Sequence, residues 1–117
     1  LEKAKSVLER MEEISEKFNA PELRPDTVSY STIINAISRG NYRDGPERAG
    51  AIIDKMKHAG VEPNTYTYNS LINCWARSGR KKAAEEAEKI LLLMEEKSKL
   101  GNQNLTPNAV TFSIVIN

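Results

Sequence analysis

Ser31, Asn69 and Ser113 each follow an aromatic residue (Tyr30, Tyr68 and Phe112), and each stands six residues after a proline: Pro25, Pro63 and Pro107. Directly behind those prolines stands a second set of short polar side chains: Asp26, Asn64 and Asn108. Hydroxyls and neutral amides both donate and accept hydrogen bonds, so this pattern suits recognition of a ligand rather than bond-breaking. Catalysis asks for other constellations, and no carboxylate pair, Ser/His/Asp set or phosphate-cradling glycine loop occurs here. No enzymatic activity, catalytic residue or cofactor is expected of this segment. Cys74 and His58 are single representatives of their types, which excludes an internal disulfide and a Cys/His metal site.

The elements that carry these residues recur. The three prolines lie 38 and 44 residues apart, and an alanine precedes a methionine by seven residues at Ala4/Met11, Ala49/Met56 and Ala87/Met94. Two landmarks in one phase mark an internal repeat. Each unit reads as two helices. The first starts behind the proline with Asp26, Asn64 or Asn108 as the capping residue, and its apolar stripe is Tyr30, Ile33, Ile34, Ile37 or Tyr68, Leu71, Ile72, Trp75. Gly40 and Gly79 suit its C-terminal end, and Asp44-Gly45-Pro46 suits a restart. The second helix carries Ala49, Ile52, Ile53, Met56 or Ala87, Ile90, Leu91, Met94, and Gly60 ends it in the first full unit. Residues 1–26 read as the second helix and trailing segment of a preceding unit, with Ala4, Val7, Leu8, Met11 and Ile14 as its stripe. Residues 27–64 and 65–108 are two full units, and 109–117 open a third, so the chain reads as a piece of a longer array. The insertions "EEISEKFNAPEL" and "EEKSKLGNQNL" fit either loops or helix extensions. This is an all-α solenoid of antiparallel helix-turn-helix repeats, and no apolar run approaches a membrane span.

At 100° per residue, the stripe Val28, Ser31, Asn35 lies opposite the apolar stripe of its helix, as do Tyr66, Asn69, Asn73 and Val110, Ser113, Asn117. Solvated helix faces usually fill with Lys, Glu and Arg, which are better helix formers than Ser and Asn. The recurrence of Ser and Asn here indicates a recognition surface turned outward. Charge is partitioned the same way, although the formal net charge is only +1. Residues 27–43 and 65–84 contain no acid but carry Arg39, Arg43, Arg77, Arg80, Lys81 and Lys82, while the acids gather on the second helices. Such a division gives one surface suited to a polyanion. Tyr30, Tyr68, Phe112 and Trp75 fall on core stripes. Tyr66 lies on the polar face, and Cys74 and Ala36 share a position that fits a close helix approach.

"EPNTYTYNSLINCWARSGR" and "MKHAGVEPN" resemble the pentatricopeptide repeat, and the resemblance covers nearly the whole chain. It implies a right-handed α-solenoid that binds single-stranded RNA, one base per repeat, in a mitochondrion or chloroplast, with no membrane or small-molecule partner. The base-selecting residues it implies are Ser31 with Asn64, Asn69 with Asn108, and Asp26 and Ser113 for the incomplete units. Val28, Tyr66 and Val110 would sandwich bases, and Arg39, Arg77, Arg80, Lys81 and Lys82 would meet phosphates. By the same resemblance, the Ser31/Asn64 pair favours adenine, and the Asn69/Asn108 pair a pyrimidine, cytosine before uracil. A protein-interaction or structural solenoid within a large assembly, such as an organellar ribosome, is the alternative, with other proteins of a ribonucleoprotein as partners. The repeat lengths depart from the usual thirty-five residues, which keeps that alternative open.

Overall fold

The computed structural model describes residues 2–17 and 26–116, which form six α-helices and one short 3₁₀ turn. They are α1 (Glu2–Lys17), α2 (Thr27–Arg39), α3 (Gly45–His58), α4 (Thr65–Arg77), α5 (Ala83–Lys99) and α6 (Ala109–Ile116), and the turn spans Gln103–Leu105. The chain is an all-helical repeat solenoid, with no strand among the described residues.

Capping chemistry fixes where each first helix starts. Asp26 has extended backbone, and its carboxylate accepts the Ser29 backbone N–H at 3.0 Å. That bond is the main reason its carboxyl sits below the ordinary Asp value. Asn64 heads α4 with a reciprocal capping box. Thr67 N–H donates to Asn64 Oδ1 at 3.0 Å, and Asn64 N–H donates to Thr67 Oγ1 at 3.1 Å. Asn108 and Thr111 make the same pair of bonds, both at 3.1 Å, at the start of α6.

The second helices end alike. Beyond α3, Gly60 has φ +77°, its N–H donates to the Lys57 carbonyl, and the Val61 N–H donates to the Met56 carbonyl at 2.9 Å. Beyond α5, Gly101 has φ +107° and the Asn102 N–H reaches back to the Lys97 carbonyl at 3.0 Å. Both are Schellman ends, which need a residue at positive φ that glycine supplies without a Cβ clash. The insertion "EEKSKLGNQNL" is therefore mostly helix. It gives α5 17 residues against 14 in α3, and a 3₁₀ turn then tucks Leu105 into the core at 3% exposure. "EEISEKFNAPEL" continues α1 to Lys17, and the rest of it, with Pro25, lies outside the described residues, as do Leu1, Phe18 and Asn117.

Packing repeats with the sequence. Tyr30, Ile33, Ile34 and Ile37 of α2 meet Ala49, Ile52, Ile53 and Met56 of α3, while Tyr68 and Ile72 of α4 meet Ala87 and Met94 of α5. Leu71 packs against both clusters and joins them. The first helices pack side by side, α2 on α4 and α4 on α6, whereas α3 and α5 lean on α4 more than on each other. First helices thus form the inner of two rows, with α3 and α5 outside them. The threonine that opens α2 and α4 ties the head of each unit to its own trailing turn: Thr27 Oγ1 donates to the Glu62 carbonyl at 3.2 Å, and Thr65 Oγ1 lies 2.8 Å from the Thr106 carbonyl. On α1, Tyr30 donates its hydroxyl to Glu12 at 3.1 Å. Burial, and then Glu12, push the Tyr30 hydroxyl up to about 12. Met11 is half-buried and Val7 exposed, while the side chains of Ala4, Leu8 and Ile14 lie outside those described.

Three core expectations change. Phe112 is 44% exposed on α6, whereas Tyr30 at the matching place on α2 is fully buried. Trp75 is half-buried, with the Arg80 guanidinium 4.7 Å from its ring centroid, so it packs under a cation at the edge of the core. Cys74 is buried against the preceding repeat, whereas Ala36 at the matching position is exposed. Burial pushes the Cys74 thiol up to about 12. Only thiolate attacks disulfide reagents, so Cys74 is expected to stay unmodified at neutral pH in the folded chain and to react fully once urea unfolds it. A thiol titration with and without urea checks this, and rapid reaction in the native state would show that the seam opens.

Candidate nucleic-acid interface

Because first helices lie side by side, α4 is packed by four others, α2, α3, α5 and α6, and of its residues only Tyr66, Ala76 and Arg77 are exposed. The seam between α4 and α6 contains a cleft of about 340 Å³, lined by Tyr66, Asn69, Ser70 and Asn73 of α4, Asn108, Val110 and Ile114 at α6, and Asn35 from α2. No charged residue is among them. Tyr66 and Val110 are 51% and 56% exposed, and four asparagine amides converge between them. The cleft thus has an aromatic and an aliphatic wall with neutral donors and acceptors along its floor. This is what a flat, polar-edged, uncharged ring needs.

The helical-wheel division expects Ser31 and Asn69 to face outward, and the structure corrects it: Ser31 is 2% exposed and Asn69 7%. The flank bearing them turns toward the next first helix, which covers it. Ser113 on the matching flank of α6 is exposed. Ser31 Oγ lies 2.8 Å from Thr67 Oγ1. Asn69 donates through Nδ2 to Asn108 Oδ1 at 3.3 Å, and its own Oδ1 lies 2.5 Å from Thr111 Oγ1. The residues paired in the sequence, Ser31 with Asn64 and Asn69 with Asn108, are therefore brought together, the second pair directly and the first through Thr67. Val28 is 71% exposed on α2 and Asp26 is exposed at its head. Asn35 and Asn73, which the sequence reading places on the recognition stripe without a base-selecting role, line the cleft wall. Their position four residues behind Ser31 and Asn69 was the available signal.

The cations divide into two groups. Arg39, Lys81 and Lys82 are exposed at the ends of the first helices. Arg77 extends one guanidinium N–H to the Arg39 carbonyl at 3.4 Å, over the C-terminal end of α2. Arg80 forms an ion pair with Glu47 of α3 while covering Trp75, and it holds the Glu47 carboxyl below its ordinary value. Arg80 therefore serves chiefly as a bridge between repeats, and its charge is already matched. The other four carry the positive edge of the surface.

Among the described residues, no three His, Cys, Asp or Glu cluster so as to hold a metal ion, and no helix is long and apolar enough to cross a membrane. A family model for PPR repeats matches residues 25–77, which run from before α2 through α4. No curated protein matches the chain.

Proposed function

We propose, from the premise that this is a pentatricopeptide repeat protein, that it binds single-stranded RNA at about one base per repeat and supports RNA processing, stability or translation in a mitochondrion or chloroplast. The family is generally associated with RNA binding and is commonly organellar, and its members are generally non-catalytic. The single observation that carries the reading is the uncharged cleft, where Tyr66 and Val110 flank Asn69 and Asn108 at the seam of two repeats. A base would enter between Tyr66 and Val110, with Asn69 and Asn108 on its edge and Arg39, Arg77, Lys81 and Lys82 toward the sugar-phosphate chain. Asp26, Asn64, Ser31, Val28 and Ser113 occupy the equivalent places in the neighbouring repeats.

The test is binding of the intact protein to short single-stranded RNAs across a salt series. With two or three phosphates neutralised, log affinity is expected to fall against log salt with a slope of about −1.4 to −2.1. Duplex RNA of the same sequence is expected to bind more weakly. Asn69→Ser is expected to move the preference at one base from pyrimidine toward purine. A flat salt response, or equal affinity for duplex and single strand, overturns RNA binding, while an unmoved preference removes only the selector role of Asn69. The solvent-exposed Leu92 and Leu93 on the outer helix α5, with Leu100 just beyond its end, favour a second reading, contact with a protein of a larger assembly.

A further inference from the structure

The geometry points to Thr67 and Thr111 as positioning residues that set which hydrogen-bonding groups the asparagine pair turns toward a base. This rests on the base-reading role of the pairs proposed above. Both threonines are 0% exposed, so neither touches a ligand in the cleft. Each hydroxyl sits at the junction of two reading side chains. Thr67 Oγ1 accepts the Asn64 backbone N–H and lies 3.0 Å from Asn64 Oδ1 and 2.8 Å from Ser31 Oγ. Thr111 Oγ1 accepts the Asn108 backbone N–H and lies 3.1 Å from Asn108 Oδ1 and 2.5 Å from Asn69 Oδ1.

A hydroxyl has one proton to give, and that decides the network. Asn108 Oδ1 is an acceptor in any arrangement, because the Thr111 backbone N–H donates to it. Its Nδ2 group is then left to point away from the helix, toward the cleft. Asn69 must place Nδ2 against Asn108 Oδ1, since the reverse orientation would set two carbonyl oxygens face to face. Asn69 Oδ1 consequently takes the Thr111 proton, and Asn108 Oδ1 is filled by two donors, the Thr111 N–H and Asn69 Nδ2. The Thr111 hydroxyl thereby holds the Asn69 carbonyl toward the buried side, so the pair turns mainly its Nδ2–H groups toward a base. Cytosine presents two adjacent acceptors, N3 and O2, on its Watson–Crick edge, whereas uracil interrupts its acceptors with the N3–H donor. A pair that turns mainly donors to the base therefore favours cytosine over uracil. In the preceding seam the partner is a hydroxyl: Ser31 Oγ and Thr67 Oγ1 share a hydrogen bond in which either can donate, and Thr67 also lies beside Asn64 Oδ1, so Ser31 keeps the capacity to accept. One threonine position thus sets two different outputs, according to its neighbour.

The experiment compares the intact protein with its Thr111→Val variant on two RNAs that differ only in C or U at the base read by Asn69 and Asn108. Valine keeps the shape but frees the Asn69 carbonyl to turn outward, so the C-over-U ratio is expected to drop about two- to twelvefold, the worth of one hydrogen bond. Thr111→Ser, which keeps the hydroxyl, is expected to retain the wild-type ratio, and Thr67→Val is expected to leave this base alone and alter discrimination at the neighbouring one. Should Thr111→Val lose its helical circular dichroism, Thr111→Cys, with a weaker donor at the same place, carries the same comparison. An unchanged C-to-U ratio, or equal weakening for both RNAs, reduces Thr111 to a plain helix cap and overturns the inference. If Asn69→Ser moves the preference while Thr111→Val does not, only the positioning role fails. If wild type shows no base preference at all, the reading of the pair fails and takes this inference with it.

Discussion

Replacing Tyr66 by alanine is expected to weaken single-stranded RNA binding by about 5- to 150-fold and to leave the fold intact. The magnitude is the ~1–3 kcal/mol that base stacking on an aromatic ring contributes. Tyr66 is 51% exposed and forms the open wall of the cleft, so its ring has little packing to lose, and substitutions at such sites usually change stability by no more than about 0.5 kcal/mol. Tyr66→Phe keeps the ring and is expected to bind nearly as wild type. Fluorescence-anisotropy titrations with a labelled oligonucleotide, beside thermal melts of each variant, separate the two effects. Unchanged affinity in Tyr66→Ala would remove this wall from the interface, and with it the observation on which the RNA reading leans most. The flanking cations cannot stand in for it, because charge draws in any polyanion without holding a base flat.

The largest stability effect is expected at Ile34. It is 0% exposed and packs in the cluster that α2 shares with α3, beside Cys74 from α4. Ile34→Ala removes buried methyl groups and leaves a cavity, at a cost of about 2–5 kcal/mol. For a chain of this size that lowers the melting temperature by roughly 10–20 °C. Because the altered helix also forms one side of the seam with α4, RNA affinity is expected to fall with the folded fraction rather than with base identity. Urea titration followed by helical circular dichroism measures the loss, and Leu92→Ala, at a site 57% exposed, serves as the comparison with a change of no more than about 0.5 kcal/mol. A loss below 1 kcal/mol at Ile34 would mean that the cluster yields locally without cost to its neighbours.

The repeat frame was readable because its signals are local. Asp26, Asn64 and Asn108 announce helix starts by capping chemistry, and Ile33, Ile34 and Ile37 announce a buried stripe by spacing. Exposure on the flanks was not readable. Helical periodicity divides a helix into an inside and an outside, but Ser31 and Asn69 lie on a third side, against the next repeat, and no pattern within one helix reveals that neighbour. A neighbour on the other side, the preceding repeat, explains why Cys74 is buried. The extent of α5 was hidden for a different reason. Lys and Glu favour helix but also populate loops, so "EEKSK" fits both, and the signal that decides is Gly101, which becomes a helix end only with the two backbone bonds of its Schellman turn. In the candidate site, residue types were legible while the routing of protons between them was not, since it depends on oxygens brought together from residues 36 to 42 positions apart.

The threonine ties between the head of a unit and its trailing turn have a consequence for how such a chain can vary. The prolines are 38 residues apart in one interval and 44 in the next, yet α2 and α4 both have 13 residues, and each is tied to the following turn by its first threonine. The additional residues are taken up in the longer α5 and the 3₁₀ turn behind it, away from the inner row. Register on the inside is thereby insulated from length on the outside. The outer edge is free to acquire insertions, and with them new binding partners, while the interval from one reading position to the next keeps its step.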